Sequence, residues 1–321
     1  MQSLFRFVTT TKRPRIFKHT LAKHKSLRPL STRFSFESRH RPIGVFDSGV
    51  GGLSVLREIR RELPFEDLIY VADSAHAPYG DKPREQIESR SFAIAEFLLT
   101  LGAKAIVVAC NTATSAAAVQ MRQRLSVPLI AMEPAVKPAV VQTRSGVVGV
   151  LATSQTLASH SFVNLLGQYA IGADVLVQPC PGLVERVEQG ALECDITRRL
   201  VTSYVKPLLD RGADTLVLGC THYPHLRPLI QEVAGPDVSV LDSGVGVARQ
   251  VRRRLGNEGL LRDQTSTGYT RFFASGDLAR TAVVIEQIWA DATEVHPLPD
   301  PATKNEGKGS HRWPLSVSKT D

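Results

Sequence analysis

The sequence predicts an α/β protein made of two pseudo-symmetric domains, each a mostly parallel sheet flanked by helices, with a site in the cleft between them. Three observations lead there. Short apolar runs bounded by Gly, Asp, Asn and Thr alternate with stretches of helical periodicity. LGAKAIVVACNTATSA (101–116) aligns without gaps with RGADTLVLGCTHYPHL (211–226), at an offset of 110 residues. A looser match, offset by 105, sets GVFDSGVGGLS (44–54) beside GVLATSQTLAS (149–159).

Taken in order, the apolar runs place strands at 43–46, 68–72, 105–109, 129–132, 147–151, 174–177, 215–218 and 238–241. Helices are expected at 54–62, 84–100, 115–125 and 156–168, among others. Strands that are apolar throughout, rather than alternating, belong to parallel sheets covered on both faces. Such sheets bind ligands beyond the carboxyl ends of their strands. Both arms of the 110-residue repeat end a strand there with a cysteine, Cys110 and Cys220. Packing the halves with those ends facing brings the two thiols to opposite sides of one cleft.

At 321 residues the chain suits two domains better than one. Its formal charge of +8 suggests nucleic acid until it is located. Residues 1–42 hold eleven Lys or Arg against one acid, Glu37, leaving the remainder slightly acidic. A nucleic-acid partner is therefore not expected for the folded part. The basic stretch reads as a disordered extension, an organellar targeting segment or a start assigned too far upstream. No run of 18 apolar residues predicts a membrane span. Cys110, Cys180, Cys194 and Cys220 are far apart with no CxxC spacing, which points to free thiols in a reducing compartment, the cytoplasm. Beyond Val295 the composition turns to Pro, Lys, Gly and Ser, so 297–321 reads as a disordered tail.

Cys110 is followed by Asn111, Thr112 and Thr114, and Cys220 by Thr221, His222, Tyr223 and Pro224. A core cysteine is the ordinary reading of either one. Polar residues at a strand end, a neighbouring His and the repeat itself favour a reactive pair. Zinc would need four ligands at suitable spacing, and only Cys220 and His222 stand close, so no metal is expected. The loop FDSGVGGLSVL (46–56) has three glycines that let backbone approach a ligand. It carries Ser54 where a dinucleotide fingerprint requires glycine. Asp47 is either a turn-forming acid or a carboxylate poised to assist Cys110; its counterpart in the second half is Ala152. APYG (77–80) reads as a turn, in which the N–H groups of Tyr79 and Gly80 can receive a carboxylate. Thr153 and Thr156 read as helix caps, and a helix N-terminus also suits an anion.

Together IGVFDSGVGGLSVL, YVADSAHAPYG, VVACNTATSAA, MEPAVKPA, VGVLATSQTLAS and LVLGCTHYPHL resemble the glutamate racemase family, within the aspartate/glutamate racemase superfamily, over about residues 42–296. Ser154–Thr156 departs from it, with SQT where glycine more usually precedes the threonine. The resemblance implies two α/β domains: 43–133 with 242–296 as a discontinuous first, 134–241 as the second. It implies that Cys110 and Cys220 are the catalytic acid/base pair, with Asp47 partnering Cys110 and His222 partnering Cys220. Glu188 stands where the family has a glutamate assisting the second Cys, with Glu185 as a rival. Asp47, Ser48, Pro78, Tyr79, Gly80, Asn111, Thr112, Thr153, Thr221 and His222 are similar to the substrate-binding set.

The implied reaction interconverts L- and D-glutamate for peptidoglycan synthesis. No cofactor is expected, since Lys104, Lys137 and Lys206 lack a phosphate cup for a Schiff-base lysine. A homodimer is left open. The alternatives are an aspartate or hydantoin racemase, a Cys/His hydrolase needing only one of the cysteines, and a binding module without turnover.

Overall fold

The computed structural model describes residues 36–263, 265–290 and 294–299. In chain order the strands are β1 (Ile43–Asp47), β2 (Leu68–Ala72), β3 (Ala105–Val108), β4 (Leu129–Ala131) and β5 (Val147–Ala152). They continue with β6 (Asp174–Pro179), β7 (Thr215–Leu218), β8 (Ser239–Leu241), β9 (Thr270–Ala274) and β10 (Val295–Pro297). All described pairings are parallel. The larger sheet runs β10-β9-β2-β1-β3-β4 and the smaller β6-β5-β7-β8. The strands β1, β2 and β3 are wholly buried, as helices on both faces require.

The internal repeat is carried down to strand register. The order β2-β1-β3-β4 recurs as β6-β5-β7-β8. Gly44 pairs with Ile106, and their counterparts at offsets of 105 and 110, Gly149 and Leu216, pair likewise. Both glycines lie under a helix. A Cβ on Gly44 would sit 3.0 Å from Leu98 Cδ1, and one on Gly149 2.8 Å from Leu208 Cδ1. Leu98 and Leu208 are themselves 110 residues apart. The Gly-Ala turns that follow repeat too. Gly102 and Gly212 take φ of +81° and +86°. The N–H groups of Ala103 and Ala213 then return to the carbonyls of Leu98 and Leu208, closing the helix ends.

Three expectations change. The helix expected over 156–168 is two helices, Ser154–Leu157 and His160–Tyr169, because Thr153 and Ser159 each cap one by accepting an N–H three residues on. The helix expected from 115 begins at Asn111, capped by the Cys110 sulfur, which does not read as a capping residue in sequence. Strands β9 and β10 extend the first sheet beyond the expected set; β9 opens with half-exposed Thr270 and Arg271, which masks its apolar end.

The basic extension lies mostly outside the described residues. Its last part, however, holds a helical turn at Phe36–Arg39, and the Arg39 carbonyl accepts from buried Lys104 Nζ at 2.6 Å. Strand β10 likewise includes Pro297, the first residue of the expected tail; residues 300–321 lie outside the described set. Among the described residues no helix is long and apolar enough to cross a membrane.

Candidate active site

The carboxyl ends of β1, β3, β5 and β7 deliver Asp47, Cys110, Thr153 and Cys220 to one region. A small cavity lies between the sheets. Cys110 and Cys220 both line it, as do Ser48, Pro78, Tyr79, Gly80, Asn111, Thr112, Thr153, Thr221 and His222, with Val184 added. Asp47 and Glu188 stand behind this lining rather than in it.

On the first side, the Cys110 sulfur caps the helix Asn111–Arg124, accepting from Ala113 N at 3.4 Å, and lies 3.9 Å from Ser48 Oγ. Asp47, fully buried, accepts from Gly52 N at 2.7 Å, Ser48 Oγ at 3.3 Å and Thr221 Oγ1 at 3.3 Å. Burial pushes the Asp47 carboxyl up, against the pull of His222 and Cys110. Burial, reinforced by the Asp47 charge, pushes the Cys110 thiol well up as well.

On the second side, Cys220 Sγ faces His222 Nδ1 at 3.7 Å, and His222 Nε2 faces Glu188 Oε1 at 2.7 Å. Burial alone would lower the imidazole. Its bonds to Cys220 and Glu188 overcome that and raise it well above the ordinary histidine range. Glu188 also accepts from Val50 N at 2.6 Å and Ser74 Oγ at 3.0 Å. Of the two glutamates left open by the sequence, Glu188 is the one bonded to His222.

The glycines of the β1 loop have a different purpose from the ligand approach expected of them. A Cβ on Gly49 would lie 2.0 Å from Glu188 Oε1, one on Gly51 2.3 Å from His222 Nδ1, and one on Gly52 2.7 Å from Asp47 Cβ. Each glycine makes room for one of the three ionisable partners of the cysteines. Their φ angles are ordinary, so the need is for space and not for unusual backbone.

The Pro78–Gly80 wall is fixed from behind. Tyr79 OH points away from substrate space and donates to Asp73 Oδ2 at 2.7 Å. Asp73, at the end of β2, also accepts from Arg90 Nε and Nη2 at 2.9 and 2.7 Å and from Ser275 Oγ at 2.8 Å. Burial raises its carboxyl, but these donors, Arg90 first, bring it below the ordinary range. A carboxylate at a strand's carboxyl end was a visible signal in YVADSAHAPYG; Arg90 and Ser275, distant in sequence, gave none. The halves are stitched by Asn111 Nδ2 donating to the Gly219 carbonyl at 2.9 Å and by Thr112 Oγ1 at 3.1 Å from Thr153 Oγ1. Among the described residues no group of three or more His, Cys, Asp or Glu is arranged to hold a metal.

Fold and site thus define a two-sheet α/β protein with two thiols converging on one cavity. The family model for Asp/Glu/Hydantoin racemase matches residues 43–251. A glutamate racemase of Ectopseudomonas mendocina is 55% identical, over 79% of this chain and 97% of its own. The solved glutamate racemase isoform RacE1 of Bacillus anthracis superposes with a TM-score of 0.75 at 34% identity, covering 82% of this chain and 99% of that one. That of Francisella tularensis, solved in complex with D-glutamate, gives 0.69 at 30% identity, covering 81% and 97%. The chain belongs to the Asp/Glu/hydantoin racemase family and is an isomerase. Within the family it groups with the glutamate racemases.

Proposed function

We propose that this enzyme interconverts L- and D-glutamate without a cofactor, using Cys110 and Cys220 as opposed acid/base groups. The observation that carries the reading is that both thiols line one cavity from two mirrored halves, each with its own ionisable partner. Inversion at Cα needs a proton removed from one face and returned to the other. Two fixed bases do this without moving round the substrate.

The surrounding charges make the two thiols unequal. Burial and Asp47 hold Cys110 as a thiol, and a protonated His222 offers Cys220 a counter-charge for its thiolate. The family resemblance implies that Cys220 abstracts the proton of the L-isomer while Cys110 donates to the opposite face. The reverse direction exchanges their roles. Backbone N–H groups of the Tyr79–Gly80 turn, with Asn111, Thr112, Thr153 and Thr221, supply donors for the substrate carboxylates. Such donors in a water-poor cavity stabilise the charge that develops when Cα is deprotonated. In this reading residues 43–133 with 242–296 form one domain and 134–241 the other, and the D-glutamate serves peptidoglycan synthesis in the cytoplasm.

Proton NMR of L-glutamate in heavy water with purified enzyme tests this. Loss of the α-proton signal together with decay of optical rotation is expected. Exchange of L-aspartate with none of glutamate would move the substrate assignment to a sister activity, and a covalent acyl-enzyme would favour hydrolysis.

A further inference from the structure

We propose that His222, Glu188 and Ser74 form a proton port that serves the Cys220 side alone and opens on a second cavity, which adjoins the one that holds substrate across Pro78 and Val184. The inference rests on the two-thiol reading above and adds the route by which one of the thiols exchanges its proton.

The chain of contacts is continuous. Cys220 Sγ lies 3.7 Å from His222 Nδ1, His222 Nε2 lies 2.7 Å from Glu188 Oε1, and Ser74 Oγ donates to Glu188 Oε2 at 3.0 Å. Exposure rises along it: the His222 side chain is 1% exposed and that of Glu188 15%. Beyond Glu188 lies a second, more open cavity. Ser74, Glu188, Glu185, Asp277 and Arg280 line it, whereas Cys220 and His222 do not. Glu188 is therefore the partition between a buried imidazole and water.

Among the described residues nothing comparable serves the other thiol. Asp47 is 0% exposed, and its carboxylate is closed in by Gly52 N, Ser48 Oγ and Thr221 Oγ1. Cys110 is 4% exposed and borders the substrate cavity, so its proton meets solvent only through that cavity.

Each turnover leaves one sulfur protonated and the other not, so the free enzyme must redistribute protons before repeating the same direction. On the Cys220 side the transfer balances without any change of electrons. The thiol proton moves to Nδ1 of the neutral ring, the resulting imidazolium gives its Nε2 proton to Glu188, and Glu188 passes that proton to water. Uptake runs the same steps backwards.

The port makes the two thiols unequal in isotope exchange. Full-chain enzyme equilibrated in ordinary water is mixed in excess with D- or L-glutamate in heavy water and quenched after one turnover. The enantiomers are separated and the α-position is read by mass spectrometry. The L-product, protonated by Cys220, is expected to carry mostly deuterium; the D-product, protonated by Cys110, mostly the enzyme's original protium. Glu188→Gln, and Ser74→Ala as a milder second variant, are expected to shift the L-product from mostly deuterium to mostly protium, since losing a positioned proton-transfer partner slows exchange by roughly 10²–10⁴-fold. Equal label in the two wild-type products overturns the port, as does an unchanged label pattern in both variants. Absence of any inverted product from the wild type would instead refute the racemase reading on which the port rests.

Discussion

Replacing Gly51 by alanine tests whether the β1 loop exists to seat the ionisable partners. The new methyl carbon would lie 2.3 Å from His222 Nδ1, whereas ordinary van der Waals contact begins near 3.4 Å. Relief therefore requires about 1.1 Å of movement, the difference between those two distances, by the ring or by the loop. His222 is held on both sides, by Cys220 at 3.7 Å and Glu188 at 2.7 Å, so ring movement breaks one contact or the other. A displacement of about 1 Å in a reacting constellation costs on the order of a hundredfold in rate. Gly51→Ala is thus expected to lower kcat about a hundredfold with a far smaller change in KM, since His222 works through Cys220. Gly246→Ala is the control: nothing lies within 4 Å of its added carbon, and it sits inside the helix Gly244–Asn257. It should keep full activity and gain roughly 0.5–1 kcal/mol of stability. The assay is circular dichroism at saturating L-glutamate, with thermal melts for both variants. A folded Gly51→Ala enzyme within about threefold of wild-type kcat, well short of the expected loss, would refute the reasoning.

Cys110→Ser and Cys220→Ser should each reduce racemisation by about 10³-fold. Cys110→Ser should still exchange the α-proton of L-glutamate through Cys220 without inversion, and NMR in heavy water with chiral chromatography distinguishes the two events. His225, bonded to the Gly51 carbonyl, is pushed by burial down to about 4 from 6.5. The unfolded chain then binds the extra proton first, so stability present above pH 6.5 is lost as pH falls towards 4. The loss should be about 2 kcal/mol after allowing for the ring's partial exposure. Urea melts from pH 7 to 4 should show it in the wild type and not in His225→Gln. Lys104→Met would remove the ion-pair partner of the buried Glu66 carboxylate, whose Oε2 lies 2.5 Å from Lys104 Nζ, and leave it only the Arg262 N–H on Oε1 among the bonds described. A cost of about 3–5 kcal/mol is expected, read as a fall of roughly 10 °C in Tm.

Much of this was legible because the chain says it twice. The 110-residue repeat located Cys110 and Cys220 and implied equivalent strands, and β3 and β7 occupy equivalent places. Local patterns also served well for fully apolar strands such as β2 (Leu68–Ala72), whose bounds coincide with the apolar run. What escaped was set by distant partners. Asp73 owes its place to Arg90 and Ser275, and the glycines of the β1 loop owe theirs to Glu188 and His222 in the other half. Cys110 as a helix cap was hidden because sulfur is a weak acceptor and cysteine is outside the usual capping set. The choice between Glu185 and Glu188 needed the helix phase of Leu183–Glu188 relative to His222, which spacing alone does not supply.

The fold repeats its backbone more faithfully than its chemistry. At the 105-residue offset Asp47 corresponds to Ala152, and at the 110-residue offset His222 corresponds to Thr112. Each half thus places its ionisable partner where the other half has a group that cannot titrate. The first uses the end of the strand beside its cysteine's strand in the sheet, the second the position two residues beyond the cysteine. The consequence is steric as well as electrostatic. Asp47 reaches across to Thr221, and His222 packs on Gly51, so each partner is seated on a loop of the opposite half. Asn111 on Gly219, Thr112 on Thr153 and His225 on Gly51 cross the same boundary. Neither half-site is therefore complete in its own half. Any change that parts the two sheets displaces Asp47 and His222 together, and both directions of proton transfer should weaken in step. Damage confined to the Ser74–Glu188 side should instead weaken only the exchange that passes through Cys220.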